Sequence, residues 1–550
     1  MKILWIDLNS SYAHSSLALP ALHAQIKDKS PYEWEMVSAT INENVGMVVE
    51  RIVAYQPDII AATMWLFNHE QLLHITSRAK ALLPKACLIL GGPEFLGENE
   101  TFLRCNPFVD AVFRGEGEEH FPQWLSCWDN LTAWATIDGL CYLDENSVYH
   151  DNGKAKTSAF DLLVPPEESR FFNWDKPFVQ LETTRGCFNT CAFCVSGGEK
   201  PVRALPIDTI RQRLDTIHQH GIKNVRVLDR TFNANPRHAK ELLNLFLEYH
   251  PHIRFHLEIH PALMNDALKS ELTRMPKGLL HLEAGIQSLR EPVLQQCRRM
   301  GKLADAMEGL KFLCSQSNLD THADLIAGLP LYRLEDILED IHALASYCTG
   351  EIQLELLKLL PGTEMRMRAE ELGIRYSPLP PYEVLQTNEC TTAELQTARQ
   401  LSRLLDAFYN TPAWQELTRT LILNEEGFLL QFLDYLNKRN LTDQPMSLEK
   451  RGLVLYEYCQ KHYPQYQIQA SIAWIEAGMS LKKKPAERAK TKHQTPPDAW
   501  EILEGTYKEE LRLCFLPIDA EGTYGYWFGF EAESQRTTPV FKAKTSPNHD

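Results

Sequence analysis

The sequence predicts an α/β protein of several domains, with parallel sheets through its first two-thirds and a mostly helical part with a small β element at its end. Three observations carry this. At 550 residues the chain is too long for one ordinary core, so about two to four domains are expected. From residue 1 to about 375, short apolar runs alternate with amphipathic stretches, and strands that alternate with helices build a parallel sheet. After 376 the pattern changes to helical periodicity.

In the first segment, strands are expected at 3–6, 34–39, 58–63, 87–90 and 111–113, which gives a doubly wound sheet. Such sheets bind ligands beyond the carboxyl ends of their strands. Those ends carry Asn9 and Ser10, then Trp65 and Asn68, then Gly91-Gly92-Pro93, then Arg114-Gly115-Glu116-Gly117-Glu118. Asn9, Ser10, Trp65, Asn68, Gly91, Gly92, Pro93, Gly115 and Glu116 are therefore the candidate ligand contacts. Two glycines after a strand let a flat ligand approach the backbone closely.

Six further strands are expected at 179–184, 224–228, 254–259, 279–286, 321–326 and 352–357. The loop after the first of them reads Thr-Thr-Arg-Gly-Cys-Phe-Asn-Thr-Cys-Ala-Phe-Cys, with Cys187, Cys191 and Cys194 spaced four and then three residues apart. Thiolates at this spacing can converge on one metal centre, and three of them on a cubane cluster would leave one iron without a protein ligand. A disulfide would leave one thiol over. A structural zinc site, the lesser alternative, would want a fourth Cys or His nearby, and His218 and His220 lie more than 20 residues on.

Composition narrows the function classes. A net charge of −16 argues against whole-surface attraction to nucleic acid, and no apolar run reaches the roughly 18 residues of a membrane span. The 13 cysteines, odd in number and mostly scattered, do not form a secreted disulfide framework, so a reducing cytoplasm is the expected setting. One basic run, from Lys482 to Lys492, precedes Pro496-Pro497 and is read as a solvated linker rather than an RNA-binding patch. Patterns at 391–405, 414–436 and on through 479 are read as helices, with Phe408, Tyr409, Trp414, Phe428, Phe432 and Tyr435 as their core. Runs 511–517 and 523–530 are read as a hairpin joined at 519–522.

The three-cysteine spacing, with Phe193 just before Cys194, resembles the signature of the radical S-adenosylmethionine (SAM) enzymes. That resemblance implies a [4Fe-4S] cluster on Cys187, Cys191 and Cys194, an open iron that takes the amino and carboxylate groups of SAM, and reductive cleavage to a 5′-deoxyadenosyl radical. It also implies that the six strands form a partial (β/α)6 TIM-like barrel with SAM at the strand ends. In this resemblance Asp229 of Asp229-Arg230-Thr231-Phe232 pairs with the SAM ammonium. Glu258, Gln287 and Ser288 make further SAM contacts, and Gly328 lets backbone approach the adenine. Leu360-Pro361-Gly362-Thr363-Glu364 is similar to the barrel's usual ending.

The first segment resembles the Rossmann-like cobalamin-binding domain found before that barrel in one large subfamily, through Gly91-Gly92-Pro93 and the later Arg-Gly-Glu-Gly-Glu run. The Asp-x-His-x-x-Gly motif is absent, since Asp7-Leu8-Asn9 stands there. Cobalamin is then expected without a protein histidine on cobalt, and His14, the nearest imidazole, is read as a solvated or capping residue.

The expected domains are 1–135 (cobalamin-binding), 136–174 (connecting), 175–375 (barrel), 376–480 (helical), 481–500 (basic linker) and 501–550 (β-rich tail). The expected function is methylation, or radical rearrangement or cyclisation, of a small-molecule substrate, with a flavodoxin or ferredoxin as reductant and neither membrane nor nucleic acid as partner. A non-catalytic iron–sulfur or cobalamin sensor and an RNA-modifying enzyme are the alternatives.

Overall fold

The computed structural model describes residues 1–26, 32–347, 350–492, 511–519, 524–531, 538–539 and 541–544. It divides into two compact units, residues 1–337 with 355–395 and residues 338–354 with 396–550.

The first unit opens with a seven-stranded sheet of order β2-β1-β3-β4-β5-β6-β7. Its parallel part comprises β1 (Lys2–Asn9), β2 (Glu33–Thr40), β3 (Ile59–Thr63), β4 (Cys87–Gly91) and β5 (Ala111–Phe113). Alternation along β1 explains its two covered faces. Leu4, Ile6 and Leu8 pack with Val48, Ile52, Leu72 and Ile75 of helices Val45–Tyr55 and His69–Leu82. Ile3 and Trp5 pack on the other side with Leu19, Phe121 and Trp124. The order reverses between β1 and β3, and such a switch point opens a crevice beyond the strand ends.

The segment expected as a connector belongs to this sheet instead. β6 (Leu140–Leu143) and β7 (Tyr149–Asp151) add antiparallel to β5, with Ala111 opposite Tyr142. Leu140, Cys141 and Tyr142 are fully buried, and burying that run outweighs leaving it as a tether. Ala155 then bridges to Gly115, whose φ of 107° and 2.2 Å clearance to the Ala155 carbonyl exclude any side chain.

The barrel follows: β8 (Val179–Leu181), β9 (Thr184–Arg185), β10 (Arg203–Ala204), β11 (Asn224–Val227), β12 (Arg254–Ile259), β13 (Leu280–Gln287), β14 (Asp320–Ala327) and β15 (Glu351–Leu356). Its sheet runs β15-β14-β13-β12-β11-β8, with β9 and β10 set apart as a pair of their own, so the six strands lie in chain order and the barrel stays open. In β13, Leu280, Leu282, Ala284 and Ile286 are buried on one face, while His281, Glu283, Gly285 and Gln287 take the other, the lumen face. The short pair β9/β10 closes the two ends of the cysteine loop. A hairpin of β16 (Arg375–Tyr376) and β17 (Val384–Gln386) follows the barrel.

In the second unit, helices Pro412–Asn424, Phe428–Asn437, Leu448–His462 and Gln467–Glu476 bury Phe408, Tyr409, Trp414, Phe428, Phe432 and Tyr435 as their core. The 414–436 stretch, expected as one helix, breaks at Gly427, whose φ of 71° ends one helix and starts the next. Strands β18 (Lys490–Lys492), β19 (Leu511–Pro517), β20 (Gly525–Glu531) and β21 (Phe541–Lys544) form an antiparallel sheet in that order. The basic run is therefore not a free linker throughout. Pro485 and Ala486 are buried, and Lys490 to Lys492 pair with Phe515 to Leu513. Pro496, Pro497 and the tip of the expected hairpin, 520–523, lie outside the described residues. Among the described residues no helix is long and apolar enough to cross a membrane.

Candidate cofactor site

The cysteine loop is held at several points. Cys187 N donates to Glu199 O at 3.0 Å, Gly198 N to Asn189 O at 2.7 Å, and Ala192 N to Cys297 O at 2.9 Å. Met365, just past the Leu360–Glu364 run, donates its amide to Ala192 O at 2.8 Å. Gly197 must be glycine, since a Cβ there would sit 2.5 Å from the Cys191 carbonyl. Cys187 and Cys191 are buried and Cys194 is half-buried. Burial raises the Cys191 and Cys194 thiols, each also feels the charge of Cys187, and Arg299 donates to Cys191 Sγ at 3.7 Å in the opposing sense. Three sulfurs that sense one another on a rigid loop fit a cluster with three protein ligands.

Beside the loop lies a cavity of about 650 Å³, within the usual range for small-molecule sites. Its walls come from both halves of the unit. The sheet contributes Asn9, Ser10, Trp65, Gly91, Gly92, Pro93, Gly115 and Glu116; the barrel side contributes Gly186, Val195, Ser196, Arg230 and Glu258. Trp65 stacks with Phe67 at 6.4 Å, and both are exposed toward this space. His14 also lines it, with Nδ1 bound to Ser11 Oγ at 2.8 Å.

Several expected contacts are elsewhere. Asp229 is 1% exposed and does not line the cavity. Its Oδ1 accepts from Thr183 N at 2.9 Å and Thr184 N at 2.8 Å, and Oδ2 accepts from Thr183 Oγ1. A carboxylate occupied in this way fixes the start of the cysteine loop and has no open face for an ammonium. Asn68, 1% exposed, is spent on the Leu8 and Thr63 carbonyls and the Trp65 amide. Gln287 stands at a β-bulge with φ of 70°, where the β13/β14 register slips, and is not part of the cavity wall. Ser288 is fully buried and its Oγ accepts from Arg290 N at 3.1 Å. Gly328 faces Val384 and Leu395, so a Cβ there would meet side chains of this unit. His260, two residues after Glu258, lies past the end of β12, is buried, and accepts the Ala262 amide at Nδ1.

Sequence reasoning missed the arginines. Arg185, two residues before Cys187, donates to Glu182, to Glu116 at 3.2 Å and to Glu118 at 2.9 Å. Arg203, at the far end of the loop, pairs with both oxygens of Glu116. Burial pushes the Glu116 carboxyl up, but these two guanidiniums outweigh it and hold it down at about 2. The Arg-Gly-Glu-Gly-Glu run is thus an ion-paired clasp on both ends of the cysteine loop. A second clasp is steric: Gly362 and Gly97 approach so closely that a Cβ at 362 would lie 2.7 Å from Leu96 O.

Comparison with known proteins fits this layout. Residues 6–125 match the B12 binding domain family, 181–344 the Radical SAM superfamily, and 370–496 a family described as a protein of unknown function, DUF4080. The chain is a radical SAM protein with a cobalamin-binding domain. An uncharacterized methyltransferase of Pyrococcus horikoshii is 26% identical over 204 residues, 36% of this chain and 44% of that protein. The cobalamin-dependent radical SAM methyltransferase TokK of Streptomyces tokunonensis is 21% identical over 349 residues, 59% of this chain and 50% of that one. This radical SAM protein therefore spans about half the length of the curated relatives it matches.

Among solved structures, the methyltransferase TsrM of Kitasatospora setae, with cobalamin and a [4Fe-4S] cluster bound, superposes with a TM-score of 0.57 at 16% identity, covering 72% of this chain and 80% of that one. OxsB, with aqua-cobalamin and SAM bound, gives 0.61 at 12% identity, covering 88% and 82%. At such identities the likeness carries the fold alone.

Proposed function

We propose that this chain is an enzyme that cleaves SAM with a [4Fe-4S] cluster on Cys187, Cys191 and Cys194 and uses cobalamin as second cofactor to methylate a small-molecule substrate. The observation that carries the reading is the single cavity whose wall runs from Gly91–Pro93 and Gly115–Glu116 to Gly186, Val195 and Ser196 of the cysteine loop. When bound, the cluster and SAM supply a carbon radical and cobalamin supplies a methyl group. The chain's own residues place these groups and keep water from them.

Trp65, Phe67 and the glycine edges offer a flat apolar wall with close backbone, the surface a corrin ring needs. Arg230 and Glu258 are barrel residues with opposite charges on the same cavity. They suit the carboxylate and the ammonium of SAM respectively. Asp229 supports the loop that carries the thiols. His14, an imidazole on the cavity wall, is tied to Ser11, in keeping with cobalamin held without a histidine on cobalt. Cytoplasmic residence and a flavodoxin or ferredoxin as electron source complete the proposal.

The test is SAM cleavage without knowledge of the substrate. Reconstituted, reduced protein should form 5′-deoxyadenosine, and Cys191→Ala should form none. A full cluster with strong reductant and no deoxyadenosine, even with metabolite extracts added, would favour a sensor that has lost catalysis.

A further inference from the structure

The lumen face of the barrel carries a stack of ionisable side chains, of which the cofactor cavity takes only Glu258. From β12 come Arg254, His256 and Glu258; from β13, His281 and Glu283; from β14, Asp320, His322 and Asp324. In register, Glu283 stands beside Glu258 on one side and His322 on the other, and Asp324 lies one step nearer the mouth, beside Gly285.

The hydrogen-bond polarity of the stack follows from its first member. Arg254 can only donate, and its Nη2 lies 3.2 Å from His281 Nδ1 and 2.8 Å from Asp320 Oδ2. His281 Nδ1 must then accept, so His281 carries its proton on Nε2 and donates it to His322 Nδ1 at 2.8 Å. That leaves His322 with its proton on Nε2, which faces Glu283 Oε2 at 3.3 Å and Asp324 Oδ1 at 3.6 Å. His256 Nε2 reaches the same Glu283 oxygen at 3.0 Å. Glu283 thus collects imidazole N–H groups from two strands, which favours its anionic form.

Asp324 has, among the described residues, only the more distant His322 N–H, which it shares with Glu283. Its carboxyl lies within 4.8 Å of the Glu283 oxygen, with Oδ1 buried and without a hydrogen-bond partner. Two carboxylates this close in a half-buried lumen do not both stay ionised. Burial, then the charge of Glu283, pushes the Asp324 carboxyl up to about 7, against the pull of His322, while the imidazoles hold Glu283 well below the carboxylate range.

We propose that Asp324 and Glu283 hold one exchangeable proton between them, on Asp324, and that this carboxylic acid is the proton donor and acceptor for a substrate bound in the lumen. The proposal rests on the enzymatic reading above. In donation, the Asp324 O–H bond breaks, the proton passes to a basic atom of the substrate, and Asp324 is left as carboxylate; uptake is the reverse. No redox partner is needed. Arg254, a fixed cation paired with Asp320 at the exposed end of the stack, carries no exchangeable proton of its own at neutral pH. The pairing of one raised and one lowered carboxyl is the arrangement that separates acid from base at neutral pH.

The test needs neither SAM nor substrate, so its failure is distinct from failure of the enzymatic reading. Infrared difference spectra of the full chain across pH should show a protonated carboxyl band that disappears with a midpoint near pH 7. Asp324→Asn should remove that band, with circular dichroism checking that the variant folds. Glu283→Gln should move the midpoint down, because the facing charge is gone. A spectrum with no protonated carboxyl above pH 6, or a band unchanged in Asp324→Asn, would overturn the proposal. Zn²⁺ or Mn²⁺ titrated into chelator-treated protein should bind no extra equivalent that Asp324→Asn abolishes. If it does, the carboxylates share a cation rather than a proton, and the proposal falls.

Discussion

Replacing any one of Cys187, Cys191 and Cys194 by alanine should strip the cluster, because Cys297, the nearby fourth thiol, is buried in the helix support with its thiol pushed up to about 12 by that burial. Iron analysis after anaerobic reconstitution reads this directly. Asp229 behaves differently from a cofactor contact. Asp229→Ala leaves the Thr183 and Thr184 amides without their acceptor, at roughly 1–3 kcal/mol for each buried donor. It should therefore lower the urea midpoint and the iron content together, whereas Asp229→Asn, which keeps an oxygen acceptor, should lose less of both. Glu258→Gln should keep full iron but weaken SAM binding about tenfold, the worth of one charge-assisted hydrogen bond. Equilibrium dialysis with labelled SAM separates the two cases. If Asp229→Ala keeps its stability and loses only SAM, the assignment of the two carboxylates must be exchanged.

At the scale of elements, the clasp of Glu116 and Glu118 on Arg185 and Arg203 ties a strand end of the sheet to the barrel's cysteine loop. Its pH signature follows from Glu116. The folded carboxyl is held below its ordinary value, so its contribution is present above about pH 4.5 and is lost as pH falls toward 2. The contribution is at most about 3 kcal/mol, since one pKa unit is 1.36 kcal/mol. Thermal melts of the parent should show this acid loss, and Glu116→Gln should be less stable at pH 7 and flatter between pH 4.5 and 2.

The elements themselves were readable because each strand carries its own periodicity. The expected strand at 111–113 coincides with β5, and the expected 254–259 with β12. What escaped was set by distant partners. The β6/β7 hairpin is short and takes its meaning from Ala111 and Gly115. Lys490 to Lys492 form a strand only because 513–515 lie beside them. In the site, eight of the nine residues expected at the sheet ends line the cavity, because strand ends and glycines announce themselves. The exception, Asn68, is a buried loop brace. Of the barrel's expected SAM contacts, Glu258 alone lines it, since a motif gives a residue's place in the chain and not which side of a strand end it faces. Arg299, 108 residues from Cys191, left no local signal.

For the whole molecule, the account turns on one cavity shared by the cobalamin-type sheet and the cysteine loop. Two paramagnetic centres bound to the same cavity must influence each other's spins. Electron paramagnetic resonance of cob(II)alamin-loaded protein, with the cluster reduced, reads that influence directly. It should lack nitrogen superhyperfine splitting from an axial imidazole, and His14→Ala should leave the spectrum unchanged. The deciding comparison is between the parent and a Cys187→Ala, Cys191→Ala, Cys194→Ala variant loaded with the same cob(II)alamin. The account predicts a cob(II)alamin signal broadened and fast-relaxing in the reduced parent and sharp in the cluster-free variant; identical signals in the two, with both centres fully loaded in the parent, would contradict it.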